Sequence, residues 1–221
     1  MSRKDFLRLF LSLAFFAGIV HSNAQDPRRF NSQIEALLQQ DHPVEPGKEL
    51  ALFTGSSSVR MWKDVAGYFP EYHVINNGFG GSHFSDLIHY YEELILEFHP
   101  DYLFIYEGDN DIAGGKKPRK VIKEARLLID RIQKDLPETK VVLISPKPSV
   151  ARWHLRKKYQ KLNKKLERLC NKTVNLEYAD VWSAMLDENG QVLTGIFLDD
   201  NLHMNKKGYA IWGEVIGELL P

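Results

Sequence analysis

Between Glu49 and Tyr178 the chain alternates short apolar runs with longer stretches in which apolar residues recur every three or four positions. The short runs are Glu49–Thr54, His73–Asn76, Tyr102–Tyr106, Lys140–Ser145 and Val174–Tyr178, the last the weakest. Runs this short, apolar on both faces and rich in β-branched or aromatic residues, predict buried parallel strands. The longer stretches carry single stripes: Leu87, Tyr91, Leu94 and Phe98; Val121, Ala125, Leu128 and Ile132; Leu155, Tyr159, Leu162, Leu166 and Leu169; Tyr209, Trp212, Ile216 and Leu219. Each stripe is one apolar helix face turned to a sheet. Strand alternating with helix predicts an α/β domain, a three-layer α/β/α sandwich around a five-stranded parallel sheet, over residues 49–221. Residues 26–48 read as an N-terminal helix (Phe30–Gln40, with Ile34, Leu37 and Leu38 on one side) and a linker broken by Pro43 and Pro46. Trp182–Asp199 has neither periodicity and reads as a loop over one end of the sheet.

The first 25 residues follow another pattern. Arg3, Lys4 and Arg8 precede an apolar run, Leu9–Val20, and Ser22-Asn23-Ala24 supplies small residues after it. The run falls short of the roughly 20 residues that span a bilayer. Residues 1–25 are therefore expected to be a cleaved signal peptide, and the protein to be exported by a bacterial cell, to the periplasm or beyond it. Cys170 is the only cysteine, so an exported chain forms no internal disulfide. It lies on a helix stripe beside Leu166 and Leu169, where a buried small hydrophobe is the expected role.

Composition narrows the function classes further. Of 221 residues, 43% are hydrophobic and 26% charged, and 29 basic residues balance 29 acidic ones. A neutral chain has no overall field to draw it to nucleic acid or an anionic membrane. The basic cluster from Arg152 to Lys165 is interleaved with apolar residues at helical spacing and reads as a solvated helix face. The histidines show no ligand spacing, so neither a metal nor another cofactor is expected. The glycines of Gly78-Phe79-Gly80-Gly81 follow the second strand, not the first, unlike a dinucleotide fingerprint. Gly114-Gly115-Lys116-Lys117 lacks the remainder of a phosphate-binding loop, and no Gly-x-Ser-x-Gly elbow is present.

Sites in open parallel sheets form at the carboxyl ends of the strands. After the first strand come Gly55-Ser56-Ser57-Ser58; after the second, Asn76-Asn77-Gly78-Phe79-Gly80-Gly81-Ser82; after the third, Gly108-Asp109-Asn110-Asp111. Asp200-Asn201-Leu202-His203 precedes the last helix. Together they hold the parts of nucleophilic acyl transfer. A serine hydroxyl needs a neighbouring base, a histidine base needs a carboxylate to fix its tautomer, and a tetrahedral oxyanion needs preorganised donors. Residue types alone leave Ser56, Ser57 and Ser58 open as nucleophile, and His83 as a rival to His203 with no carboxylate partner evident nearby.

These four blocks resemble those of the SGNH/GDSL hydrolases, from about Leu50 to the C-terminus. The resemblance implies a flavodoxin-like sandwich, with Ser57 as nucleophile and Asp200 and His203 completing a triad. It further implies an oxyanion hole from the Ser57 N–H, the Gly81 N–H and the Asn110 side chain. Ser56 departs from the family pattern, which more often has Asp there, and leaves open which hydrogen bonds that position makes. By the same resemblance, to platelet-activating-factor acetylhydrolases and carbohydrate O-acetyl esterases, the expected substrate is a short-chain, acetyl ester of a glycan or other small alcohol. Alternatives are a lysophospholipase or thioesterase, and an inactive carbohydrate-binding protein on the same fold. Trp62, Phe79, Trp153 and the Pro146–Ser149 loop with Lys147 are candidates to line the substrate pocket or, equally, to be core. Arg60 and Arg152 are open between substrate contact and surface ion pairing.

Overall fold

The computed structural model describes residues 26–221; the expected signal peptide, residues 1–25, lies outside them. Five strands, β1 (Leu50–Gly55), β2 (His73–Gly78), β3 (Tyr102–Tyr106), β4 (Lys140–Ile144) and β5 (Leu176–Ala179), form one sheet in the order β2-β1-β3-β4-β5. Every pairing is parallel, with Leu50 opposite His73 and Ala51 opposite Tyr102. The expected flavodoxin-like sandwich is present. Its strand order reverses between β1 and β3, and the crevice at their carboxyl ends is where such sheets place a site.

Alternate side chains of the strands feed two cores. Leu52, Leu103, Ile105, Val141 and Leu143 meet α1 (Asn31–Leu38), α3 (Phe84–His89), α4 (Tyr91–Leu94), α6 (Pro118–Asp135) and α7 (Arg156–Cys170). Phe53, Phe104, Tyr106, Val142 and Ile144 meet Trp62, Phe69 and α9 (Lys206–Gly217) on the other side. The period of two along a pleated strand produces this division. Cys170 is buried in the first core, where burial pushes its thiol up to about 12.

Three local readings change. The stripe Leu87–Phe98 is not one helix but α3, α4 and a 3-10 turn over Leu96–Phe98. Tyr90 breaks it with φ −99° and ψ 25°; its hydroxyl turns to the N-terminal segment, 2.6 Å from Asn31 Oδ1 and 2.9 Å from the Pro27 carbonyl. Leu87, Tyr91 and Leu94 are buried as the stripe required. β5 starts at Leu176, because Val174 is exposed and Asn175 has φ 54°. The loop over Trp182–Asp199 also takes in most of α8 (Val181–Ala184). Two further short helices, α2 (Ser57–Arg60) and α5 (Asp109–Ala113), begin where β1 and β3 end. No helix among the described residues is long and apolar enough to cross a membrane.

Candidate active site

Gly55 ends β1 with φ 116°, and a Cβ there would stand 2.2 Å from the Tyr106 carbonyl oxygen. Only glycine allows so sharp an exit. It separates the three serines. Ser56 is buried, its hydroxyl accepting from Asn110 Nδ2 at 2.6 Å. Ser58 is buried in α2, its carbonyl accepting from the Tyr209 hydroxyl at 2.9 Å. Ser57, half-buried at the first position of α2, has its Oγ 3.0 Å from His203 Nε2. The geometry thus selects Ser57 from the three.

His203 lies in the turn before α9. Its Nδ1 is 2.5 Å from Asp200 Oδ2, while Asp200 Oδ1 accepts from the Leu202 and His203 backbone N–H groups, both at 2.9 Å. Partial burial pushes the Asp200 carboxyl upward, but the His203 hydrogen bond and these two N–H groups outweigh it and hold the pKa at about 2. A carboxylate fixed this way keeps the Nδ1 proton and presents the Nε2 lone pair to the serine. The rival, His83, is buried; its backbone N–H donates to Asp86 at the start of α3. Burial holds its pKa below the usual histidine range.

Asn110 ties the first three blocks together. Its Nδ2 donates to Ser56 Oγ and, at 3.1 Å, to the Ser82 carbonyl, next to Gly81. Its Oδ1 accepts from Arg152 Nη2 at 3.1 Å. Arginine has only donors, so this contact dictates which end of the amide faces the serines. The other arm of Arg152 donates to Asp109 Oδ1 at 2.7 Å. Gly81 has φ 71°, a backbone conformation that favours glycine.

Beneath these residues lies a buried polar network centred on Asp109, which sequence reading did not assign. Tyr159 donates to its Oδ1 at 2.8 Å and Tyr106 to its Oδ2 at 3.0 Å, with Lys147 Nζ 3.7 Å away. Burial alone would raise the Asp109 pKa, but Lys147 and Arg152 outweigh it and hold it below the usual range. Lys147 also donates to the Leu202 carbonyl at 2.7 Å, so the same cluster braces the turn that carries His203. A second buried carboxyl, Glu107, accepts from Ser82 Oγ through Oε1. Burial, and the nearby Asp111, hold its pKa well above the usual range.

Trp62, Phe79 and Lys147, candidates to line the pocket or to be core, all lie inside the protein. Trp62 is fully buried among Phe53, Tyr209 and Trp212, and Phe79 against Phe30 and Tyr90. Lys147 is 1% exposed and already occupied by Leu202 and Asp109. For Trp62 and Phe79, removing apolar surface this large from water is worth about 1.5–3 kcal/mol per side chain. Arg152 is ion-paired, and Trp153 stacks on Trp182 at 6.0 Å. A cleft of about 680 Å³ beside Trp182, between α7 and β5, holds no triad residue. Among the described residues no cluster of three or more His, Cys, Asp or Glu side chains could hold a metal ion.

A serine, an imidazole and a carboxylate in series at the switch point of a parallel sheet define a serine hydrolase of α/β/α architecture. Residues 47–211 match the sequence model of the GDSL-like lipase/acylhydrolase family, and the chain belongs to that family. It is an ester hydrolase by class. No curated protein matches it. Among solved structures, it is similar to a Streptococcus pneumonia protein assigned provisionally to platelet activating factor (TM-score 0.75, 19% identity, covering 88% of this chain and 92% of that one). A GDSL-like lipase from Bacteroides thetaiotaomicron superimposes with TM-score 0.71 at 18% identity, covering 88% and 96%. An acetylxylan esterase from Geobacillus stearothermophilus gives 0.66 at 16%, covering 79% and 94%.

Proposed function

We propose that the protein hydrolyses carboxylic esters through an acyl-enzyme on Ser57, removing short acyl groups, acetyl foremost, from a glycan or other small alcohol. The observation that carries this reading is the chain of contacts from Ser57 Oγ to His203 Nε2 at 3.0 Å and from His203 Nδ1 to Asp200. His203 takes the hydroxyl proton as Ser57 Oγ bonds to the ester carbon, and the carbonyl electrons move to oxygen. The oxyanion is held by the Ser57 and Gly81 N–H groups, and by the Asn110 amide once one of its N–H groups leaves Ser56 or Ser82. Collapse expels the alcohol, which leaves with the proton from His203. Water then attacks the acyl-enzyme by the same route and releases the acid and free Ser57. No bound cofactor is needed for any step.

The preference for a short acyl group is supported by the burial of Trp62 and Phe79, which removes the large apolar side chains nearest the nucleophile and the oxyanion loop from any acyl groove. The name of the acetylxylan esterase of similar fold points the same way. A longer-chain reading, as lysophospholipase or thioesterase, is supported by Val150 and Leu198. Both are exposed beside the His203 turn, where Ala151 N–H bonds Asn201 and Leu198 N–H bonds His203. Hydrolysis of p-nitrophenyl acetate, butyrate and octanoate, beside Ser57→Ala, decides between them. Acetate is expected to rank first, with activity lost in the variant; a peak at octanoate would transfer the reading to lipids. Ester-inert wild type that still binds glycans would instead indicate the inactive binding protein.

The same proposal includes export with removal of residues 1–25. N-terminal sequencing of the exported protein is expected to start within a residue or two of Asp26, and an intact Met1 there would refute it.

A further inference from the structure

The segment Pro27–Leu38 precedes the stretch matched by the family, residues 47–211, yet it holds the loop after β2 at three points. Gly80 N–H donates to Gln33 Oε1 at 2.9 Å. Phe30, 5% exposed, packs edge-on against the fully buried Phe79 at 5.1 Å. Arg29 Nη2 donates at 2.6 Å to Asp86 Oδ2, the carboxylate oxygen that also accepts from His83 N–H at 2.9 Å. The Asp86 side chain is 2% exposed, so that pair is shielded from water on one side. Tyr90, at the end of α3, closes the contact through Pro27 and Asn31.

These anchors bracket one short piece of backbone. The peptide entering Gly80 is fixed by Gln33, and the peptide entering His83 by Asp86 with Arg29 behind it. Between them sit the Gly81 N–H and Ser82. Gly80 and Gly81 have no side chains to restrict their dihedrals, and two adjacent glycines are the least self-ordered backbone available. An oxyanion donor works only if it is aimed before the charge develops. Within the loop, order has to come from outside.

We infer that the N-terminal segment is a positioning element for the oxyanion loop, acting through Gln33 on Gly80 and through Arg29 and Asp86 on His83. This inference rests on the serine-esterase reading for its catalytic consequence, but its structural half is independent of that reading. Gln33 touches neither Ser57 nor His203; it is a positioning residue.

The test compares Gln33→Leu, which removes the acceptor at similar size, with Gln33→Glu, which keeps one, in the chain from residue 26 onward. Two readouts are needed: steady-state hydrolysis of p-nitrophenyl acetate, and amide hydrogen exchange of the Phe79–His83 stretch. Q33L is expected to lower kcat about tenfold, in line with the loss from small misplacements of catalytic groups, with KM within about twofold of wild type. Exchange at Gly80 should quicken about tenfold while β1 and β3 stay protected. Q33E is expected to restore that protection, and Arg29→Met to loosen His83 in the same way. Wild-type exchange in Q33L, or faster exchange with unchanged kcat, overturns the inference. Should wild type show no Ser57-dependent hydrolysis, the esterase reading fails, and the exchange data alone decide whether the segment holds the loop.

Discussion

Replacing Arg152 with lysine keeps a positive charge beside Asp109 but removes the second arm of the guanidinium. That arm, Nη2 to Asn110 Oδ1 at 3.1 Å, orients the Asn110 amide together with the Ser82 carbonyl. A hydrogen bond to a charged group is worth about 1.5–3 kcal/mol, and Arg152 is partly exposed, at 19% of its side chain, which argues for the lower end. Without it the amide can turn over. Ser56 Oγ tolerates either end because a hydroxyl both donates and accepts, but the Ser82 carbonyl tolerates only the N–H. A weakened preference of about 1.4–2 kcal/mol predicts a fall in kcat of about 10- to 30-fold. Stability should hardly change in Arg152→Lys, because the lysine keeps a cation beside Asp109 in addition to Lys147 and the two tyrosines. Arg152→Ala is different: it leaves Asp109 with one cation 3.7 Å away. Breaking a buried pair costs about 3–5 kcal/mol; partial exposure and the remaining partners reduce this to about 2–3. In a protein of this size that lowers Tm by about 4–12 °C. Calorimetry with pre-steady-state and steady-state kinetics on both variants gives the comparison. Arg152→Lys with wild-type kcat, or with the same Tm loss as alanine, would refute the separation of roles.

Glu107 carries a pKa raised by burial, so in the folded state its stabilising contribution is complete below the unfolded carboxyl pKa and is lost as pH rises through the folded value. Glu107→Gln is therefore expected to flatten the decline of Tm from pH 5 to pH 9; an unchanged slope would contradict the assignment. Asp200 is held at about 2, so it stays ionised across the working range: its protonation should give the wild-type kcat profile no acid limb above pH 4, while Asp200→Asn should lose activity. Cys170, with its thiol pushed up to about 12, is expected to leave Ellman's reagent unreacted at pH 8 until denaturant is added. Stoichiometric colour from the folded protein would place that thiol at the surface.

Much of the scaffold is legible in the residue pattern because period and burial are local properties. Five apolar runs became five strands, and Val121, Leu128, Tyr159 and Trp212 face the sheet as their spacing required. Ser57, Asp200 and His203, which the structure brings into contact, stand out in the sequence for another reason: strand ends concentrate chemistry, and four blocks at four such ends constrain one another. What stayed hidden depends on pairs far apart in the chain. Arg152 and Asp109 are 43 residues apart, Gln33 and Gly80 47, and Lys147 and Leu202 55. Nothing in a local window tells a lysine aimed at substrate from one buried beneath the site. Trp62 and Phe79 show the same limit, since proximity in sequence to the nucleophile does not say which way an aromatic turns.

The central claim is that Ser57, and neither of its neighbouring serines, is activated by His203. Reaction of the protein with a fluorophosphonate, followed by peptide mass mapping, tests it most directly. The account predicts one adduct per chain, on Ser57, lost in His203→Ala while that variant remains folded. An adduct on Ser56 or Ser58, labelling that survives His203→Ala undiminished, or no labelling of the folded wild type would contradict it.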